Sequence, residues 1–152
     1  MASSRTKGHD LALALAAGWG RLELRLDRAL AAIVGISLAE YRLLLALADA
    51  PGHEASRIAL ADAVGLSASG VTRALRPLEK RRIIKTANSK HDARVALARL
   101  SDAGVELLSN ATGVINDAMV SVLKHAPETK ANQDLLVKVM TELYTGATAP
   151  RL

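Results

Sequence analysis

Gly65-Leu-Ser-Ala-Ser-Gly-Val-Thr-Arg-Ala-Leu-Arg-Pro-Leu-Glu-Lys-Arg81 is the stretch whose reading decides the fold. Ser67 stands where a helix N-cap is wanted, its hydroxyl free to accept an otherwise orphaned backbone N–H. Val71, Leu75 and Leu78 then recur at steps of three and four, which predicts one buried face of a helix. The opposite face carries Ser69, Thr72, Arg73, Arg76 and Lys80. Upstream, Ser56 to Val64 reads as a short helix with Ile58, Leu60, Ala61 and Val64 apolar, closed by Gly65. A short helix, a tight turn and a second helix make a helix-turn-helix, whose second helix can enter a DNA major groove. Pro77 removes one helical hydrogen bond, so a kink between Arg73 and Pro77, or an early end, is expected.

Working outward, Ile83-Ile-Lys-Thr86 is β-prone, Ala87 to Asp92 reads as a turn, and Arg94 to Leu100 as a second strand. Together they predict a hairpin, with Ala96, Ala98 and Leu100 on one face. Ser101 caps a long helix with Val105, Leu108, Ile115, Met119 and Val122 in register. After Pro127 a last helix carries Leu135, Val139 and Leu143 and ends near Gly146. On the other side, Ser37-Leu-Ala-Glu40 is a capping box. It opens a helix through Leu43, Leu44 and Leu47 that stops before Pro51-Gly52. From Asp10 onward Leu11, Leu15, Trp19, Leu22, Leu26, Leu30 and Ile33 form another helical stripe, ended by Gly35, while residues 1–9 are polar and expected to be loose. The fold class is therefore mainly α with a small β-hairpin wing, a winged helix-turn-helix flanked by long helices.

The charge map supports this placement. Net charge is +5, yet the window from Ser67 to Arg99 holds nine Lys and Arg against only Glu79 and Asp92, so that window alone carries +7. Positive charge concentrated on the second helix and the hairpin points to a polyanion such as double-stranded DNA. Arg73 and Arg76 are suited to guanine edges, whereas Lys80, Lys85 and Lys90 are suited to phosphates. A solvated helix end whose cations complement the macrodipole is the competing reading for Lys80, Arg81 and Arg82.

Other chemistry is thinly represented. There is no cysteine, which excludes disulfides, thiol redox sensing and thiolate metal sites. His9, His53, His91 and His125 are far apart and fall at no metal-ligand spacing, so they read as surface residues and no metal or other cofactor is expected. No phosphate-binding glycine loop, nucleophile elbow or helix-borne metal motif is present, which argues against an enzyme. The apolar run from Leu11 to Trp19 is too short to span a bilayer, so a cytoplasmic chain without a membrane partner is the expectation.

The quoted stretch, followed by Asp92-Ala-Arg94 and by Leu100-Ser-Asp-Ala-Gly104, resembles the MarR family of bacterial transcription regulators. The likeness follows element order over about residues 10–145 and is detailed over about 56–104. It implies one MarR-like domain over residues 1–152, with a winged lobe over about 37–100 and dimerisation helices over about 10–35 and 101–146. It further implies that Arg94 on the wing enters the minor groove while Asp92 orients it, and that Ser67, Ser69, Thr72, Arg73 and Arg76 make the recognition-helix contacts. A homodimeric repressor on a palindromic operator follows from the same resemblance. So does a small aromatic or phenolic ligand held between the dimer helices and the DNA-binding lobe. Trp19 and Tyr41 are the aromatics best placed to line that cavity, with core packing as the rival role for each.

Two positions depart from the family pattern. Arg82 stands where glycine is usual, so either the helix ends differently or a left-handed residue costs about 1–2 kcal/mol there. Ala93 replaces a frequent glycine on the wing. Two other functions fit the same scaffold: a protein-interaction module, and a sequence-neutral architectural DNA binder. The clustered cations argue against the first, and a measured specificity ratio separates the second.

Overall fold

The computed structural model describes residues 6–88 and 96–148. In chain order these form α1 (Lys7–Ile33), α2 (Leu38–Asp49), a 3₁₀ turn (Pro51–His53), β1 (Glu54–Ser56), α3 (Arg57–Val64), α4 (Ala68–Lys80), β2 (Ile84–Asn88), β3 (Ala96–Leu100), α5 (Asp102–Leu123), α6 (Pro127–Ala131) and α7 (Gln133–Thr148). The chain divides into two compact units, residues 1–115 and 116–152.

In the first unit the ends of the helices follow local side-chain chemistry. The capping box forms as expected: the Ser37 hydroxyl accepts from the Glu40 N–H at 3.1 Å, and the Glu40 carboxylate accepts from the Ser37 N–H at 2.7 Å. Gly35 and Gly65 both take a left-handed φ of 68°, which lets the chain turn sharply after α1 and α3. At its other end α1 begins three residues earlier than the apolar pattern suggests. Thr6 supplies the cap, its hydroxyl accepting from the His9 N–H at 3.2 Å.

The core of this unit is aliphatic. Leu26 and Leu30 of α1, Leu43, Leu44 and Leu47 of α2, Leu60 and Val64 of α3, and Val71, Leu75 and Leu78 of α4 are all buried. Each such side chain withdrawn from water stabilises the fold by about 1.5–3 kcal/mol. Ile84, Ala98 and Leu100 extend the core under the sheet, and among the described residues no polar or charged side chain is buried. The first half of the α1 stripe behaves differently. Leu11 and Trp19 are exposed in the single chain, so the helical period is real but full burial along it is confined to Leu26 and Leu30.

The sheet has three strands rather than the two expected. They are antiparallel in the order β1-β3-β2, with Glu54 opposite Arg99, Ala55 opposite Ala98 and Ser56 opposite Leu97. The hairpin itself pairs Ile84 with Leu100 through Asn88 with Ala96. β1 is three residues long and carries no alternation of its own; it exists because β3 offers it a free edge.

Three further expectations change. α4 runs through Pro77 to Lys80 without ending early. Pro77 sits in the last turn, where its missing N–H leaves only the Arg73 carbonyl to find another donor. In α5 Val105 is 51% exposed, and the face buried by this chain is instead Gly104, Ala111 and Val114. The segment after Pro127 breaks at Asn132, whose side-chain amide donates to the Glu128 carbonyl at 2.8 Å and competes with continued helix.

In the second unit α7 is amphipathic, and Leu135, Leu136, Val139, Met140, Leu143 and Tyr144 along it are all exposed in the single chain. Among the described residues no single helix is long and apolar enough to cross a membrane.

Candidate nucleic-acid interface

The axes of α3 and α4 turn through 105° about Gly65-Leu66-Ser67, within the usual range for a helix-turn-helix. The turn is held at both sides. The Leu66 N–H donates to the Ala61 carbonyl at 3.1 Å, and the Ser67 hydroxyl accepts from the Gly70 N–H at 3.1 Å. Complete burial of Val71, Leu75 and Leu78 fixes the rotation of α4, so the opposite face must look outward.

On that outward face Arg73, Arg76 and Lys80 are exposed and make no hydrogen bond or ion pair among the described residues. The hydroxyl residues predicted beside them are already engaged. Ser67 serves as the cap and lies 3.1 Å from the Ser69 hydroxyl, while the Thr72 hydroxyl donates to the Ala68 carbonyl at 3.0 Å. Their remaining capacity is mainly as acceptors. Among the described residues of this face, the bidentate donors available for a groove edge are thus the two guanidiniums, with Lys80 as a point charge beyond them.

Not every cation in the +7 window faces a ligand. Arg99 is held by Glu54 across the β3–β1 pairing, its Nε donating to the carboxylate at 2.9 Å. The Arg81 guanidinium donates to the Gly35 carbonyl at 2.8 Å, at the far end of α1, so the macrodipole it complements belongs to a different helix. Neither use was visible from residue spacing, because both partners lie 45 or more residues away in sequence. Glu79, the acid within the recognition helix, accepts the Thr86 hydroxyl at 2.6 Å and lies 3.7 Å from Nη2 of Arg57. It therefore ties α4 to both α3 and the first wing strand.

The departure at Arg82 resolves into a left-handed residue with φ of 59°. The Ile83 N–H donates to the Leu78 carbonyl and the Arg82 N–H to the Glu79 carbonyl, each at 2.9 Å. That is the paired-bond pattern of a Schellman cap, made here with arginine in the glycine position. The corner is braced from α5: the Ser101 hydroxyl lies 2.8 Å from both the Arg82 and Ile83 carbonyls, and the Ser101 N–H donates to Ile83 at 3.1 Å. Gly104 completes the brace, since a Cβ there would fall 2.3 Å from the Ile83 oxygen. The Leu100-Ser-Asp-Ala-Gly104 run thus has a steric reason.

Lys90, Asp92 and Arg94, with Ala93, lie outside the described residues. Trp19 is 47% exposed on α1. Tyr41 is half-buried on α2, its hydroxyl 3.3 Å from that of Thr112 on α5. A groove of about 460 Å³ runs between α1 and α2, lined by Gly20, Glu23, Leu24, Asp27, Leu38 and Ala39. Neither aromatic lines it. No group of His, Asp or Glu among the described residues could hold a metal ion.

A helix-turn-helix braced against a small antiparallel sheet defines a winged helix-turn-helix protein. More particularly, the lobe is similar to the MarR family, whose model matches residues 34–95. The solved structure of Sco3205, a MarR family transcriptional regulator from Streptomyces coelicolor in complex with DNA, is 25% identical. It superposes with a TM-score of 0.82 over 99% of this chain and 94% of its own. CouR from Rhodococcus jostii RHA1, bound to p-coumaroyl-CoA, shares the fold at 19% identity, with a TM-score of 0.76 over 98% of this chain and 99% of its own. BpsR from Bordetella bronchiseptica, whose DNA binding is regulated by 6-hydroxynicotinic acid, does so at 18% identity, with a TM-score of 0.74 over 99% of each chain. Among curated proteins none matches the chain by sequence.

Proposed function

We propose that this chain is a homodimeric transcription regulator that reads a palindromic operator and acts as a repressor released by a small ligand. The observation that carries the reading is the pair Arg73 and Arg76, exposed and without a partner among the described residues, on α4 directly opposite the buried Val71, Leu75 and Leu78. Such a helix can lie in the major groove and present two bidentate donors to guanine edges. Lys80 and Lys85, both exposed, then supply phosphate contacts, as does Lys90. By resemblance, Arg94 enters the adjacent minor groove and Asp92 orients it.

The exposed apolar stripes of α1 and α7 support dimerisation, since each leaves large side chains in water in the single chain. On this reading the chain is one functional domain, with a lobe over about 37–100 carried by dimerisation helices. It acts in the cytoplasm and performs no catalysis. A regulator of this architecture bound to DNA and others tied to aromatic ligands support the operator and effector readings. Trp19 and Tyr41 stand near the α1–α2 groove in chain order and remain the aromatics proposed for an effector cavity completed by the second protomer.

Selection of bound sequences from a random duplex pool at physiological salt tests the proposal. A recovered palindrome supports it and supplies the operator for ligand screening. Binding without enrichment points to an architectural role, and no binding at all to a protein partner.

A further inference from the structure

Arg81 follows the last residue of α4, yet its side chain is spent on α1. Nη1 donates to the Gly35 carbonyl at 2.8 Å, and Nη2 lies 3.5 Å from the Val34 carbonyl. These carbonyls close the C-terminal end of α1, where unpaired oxygens concentrate the negative end of the macrodipole. The planar guanidinium fork can engage both at once, which a point-charge ammonium cannot. The Arg81 backbone is itself fixed, its N–H donating to the Pro77 carbonyl at 3.1 Å within the Schellman turn. A second tie runs the other way: Asp27 of α1 accepts from the Leu38 N–H at 2.8 Å, at the start of α2.

α1 therefore grips the winged lobe at two directional points in addition to its buried Leu26 and Leu30. Aliphatic contact alone permits small sliding of packed helices. A hydrogen bond from the end of α4 to the end of α1 resists that sliding, because it specifies both distance and direction.

We propose that Arg81 is a positioning residue that sets the pose of the recognition helix on α1, and through it the separation of the two recognition helices in a dimer. This rests on the homodimeric reading above. Arg81 acts without touching DNA, so its removal alters which half-site spacing is preferred and leaves the count of phosphate contacts unchanged.

The absence of cysteine makes the test direct, because Ala68→Cys places a single label on the exposed start of α4 in each protomer. Pulsed electron-spin distance measurement on the full chain then reports the separation of the two recognition helices. In the Ala68→Cys background one narrow distribution is expected, and Arg81→Met should broaden it about twofold by freeing the shear. Arg81→Lys, which can still reach one carbonyl, should restore part of the narrowness. A distribution equally narrow in Arg81→Met overturns the proposal. Equal broadening in Met and Lys variants with a lowered Tm shows a general structural role and also overturns it. No interprotomer signal in the Ala68→Cys chain defeats the dimer reading itself, and the proposal with it. On a series of duplexes with varied half-site separation, Arg81→Met should flatten the spacing optimum while keeping the salt slope. A salt slope reduced by about 1 would instead make Arg81 a phosphate contact and overturn the positioning role.

Discussion

The Glu79 carboxylate accepts the Thr86 hydroxyl at 2.6 Å, joining the last turn of the recognition helix to the first strand of the wing. An acid in the middle of a basic surface weakens attraction for DNA, so its retention there has to be weighed against what it holds. It holds three elements at one carboxylate, since Arg57 of α3 lies 3.7 Å from the same oxygen.

Loss of this tie should loosen the wing more than it unfolds the protein. Thr86→Val is expected to lower stability by about 1 kcal/mol, the net worth of one exposed hydrogen bond to a charged acceptor. Its effect on operator affinity should exceed its effect on a random duplex. Titration of both duplexes by fluorescence anisotropy, with a thermal melt alongside, checks the pair of expectations.

Arg73 and Lys85 should fail in different ways. Arg73→Ala removes an exposed guanidinium from the outward face of α4 and should cost about 1–3 kcal/mol on the operator, with relaxed preference at one base pair. Lys85→Ala should weaken all duplexes alike and reduce the slope of log affinity against log salt by about 1. A salt series on operator and scrambled duplexes distinguishes them. Equal losses for both variants on both duplexes would remove Arg73 from base reading.

Arg82→Gly should stabilise the fold. The left-handed φ of 59° costs a side-chain-bearing residue about 1–2 kcal/mol, partly offset by the greater chain entropy that glycine brings to the unfolded state. A net gain of about 0.5–1 kcal/mol is expected, read as a raised urea midpoint with unchanged slope. A lowered midpoint would show that the Arg82 side chain contributes something the backbone does not.

Gly104→Ala should be among the most damaging small substitutions in the chain. Its Cβ would meet the Ile83 carbonyl at 2.3 Å and the Leu100 side chain at 2.7 Å, so α5 must move away from the wing base. Overpacking of this kind costs about 1–3 kcal/mol. Urea denaturation of the variant measures it, and a neutral result would mean the brace yields without cost.

Much of this architecture is legible along the chain because its causes are local. Ser37 with Glu40, Ser67 with Gly70, and the left-handed Gly35 and Gly65 each act within a few residues, so the helix boundaries they set could be read directly. The face of α4 was equally readable, because Val71, Leu75 and Leu78 repeat with the helical period. β1 was not readable: Glu54, Ala55 and Ser56 carry no strand signal and pair only because Arg99, Ala98 and Leu97 lie alongside. The exposed Val105 misled for a related reason, since periodicity marks an apolar face without naming what covers it.

By itself the sequence determined the order of the long helices and the hairpin, the helix-turn-helix and the location of positive charge, all properties carried by neighbours within a turn or two. Only the tertiary structure decided how those charges are used. It turned Arg99 toward Glu54 and Arg81 toward Gly35, engaged the hydroxyls of Ser67 and Thr72 at the start of α4, and left Arg73 and Arg76 without a partner among the described residues. Hydrogen bonds are directional and short-ranged, so which partner a long cationic side chain reaches depends on where distant segments meet, and no local pattern encodes that.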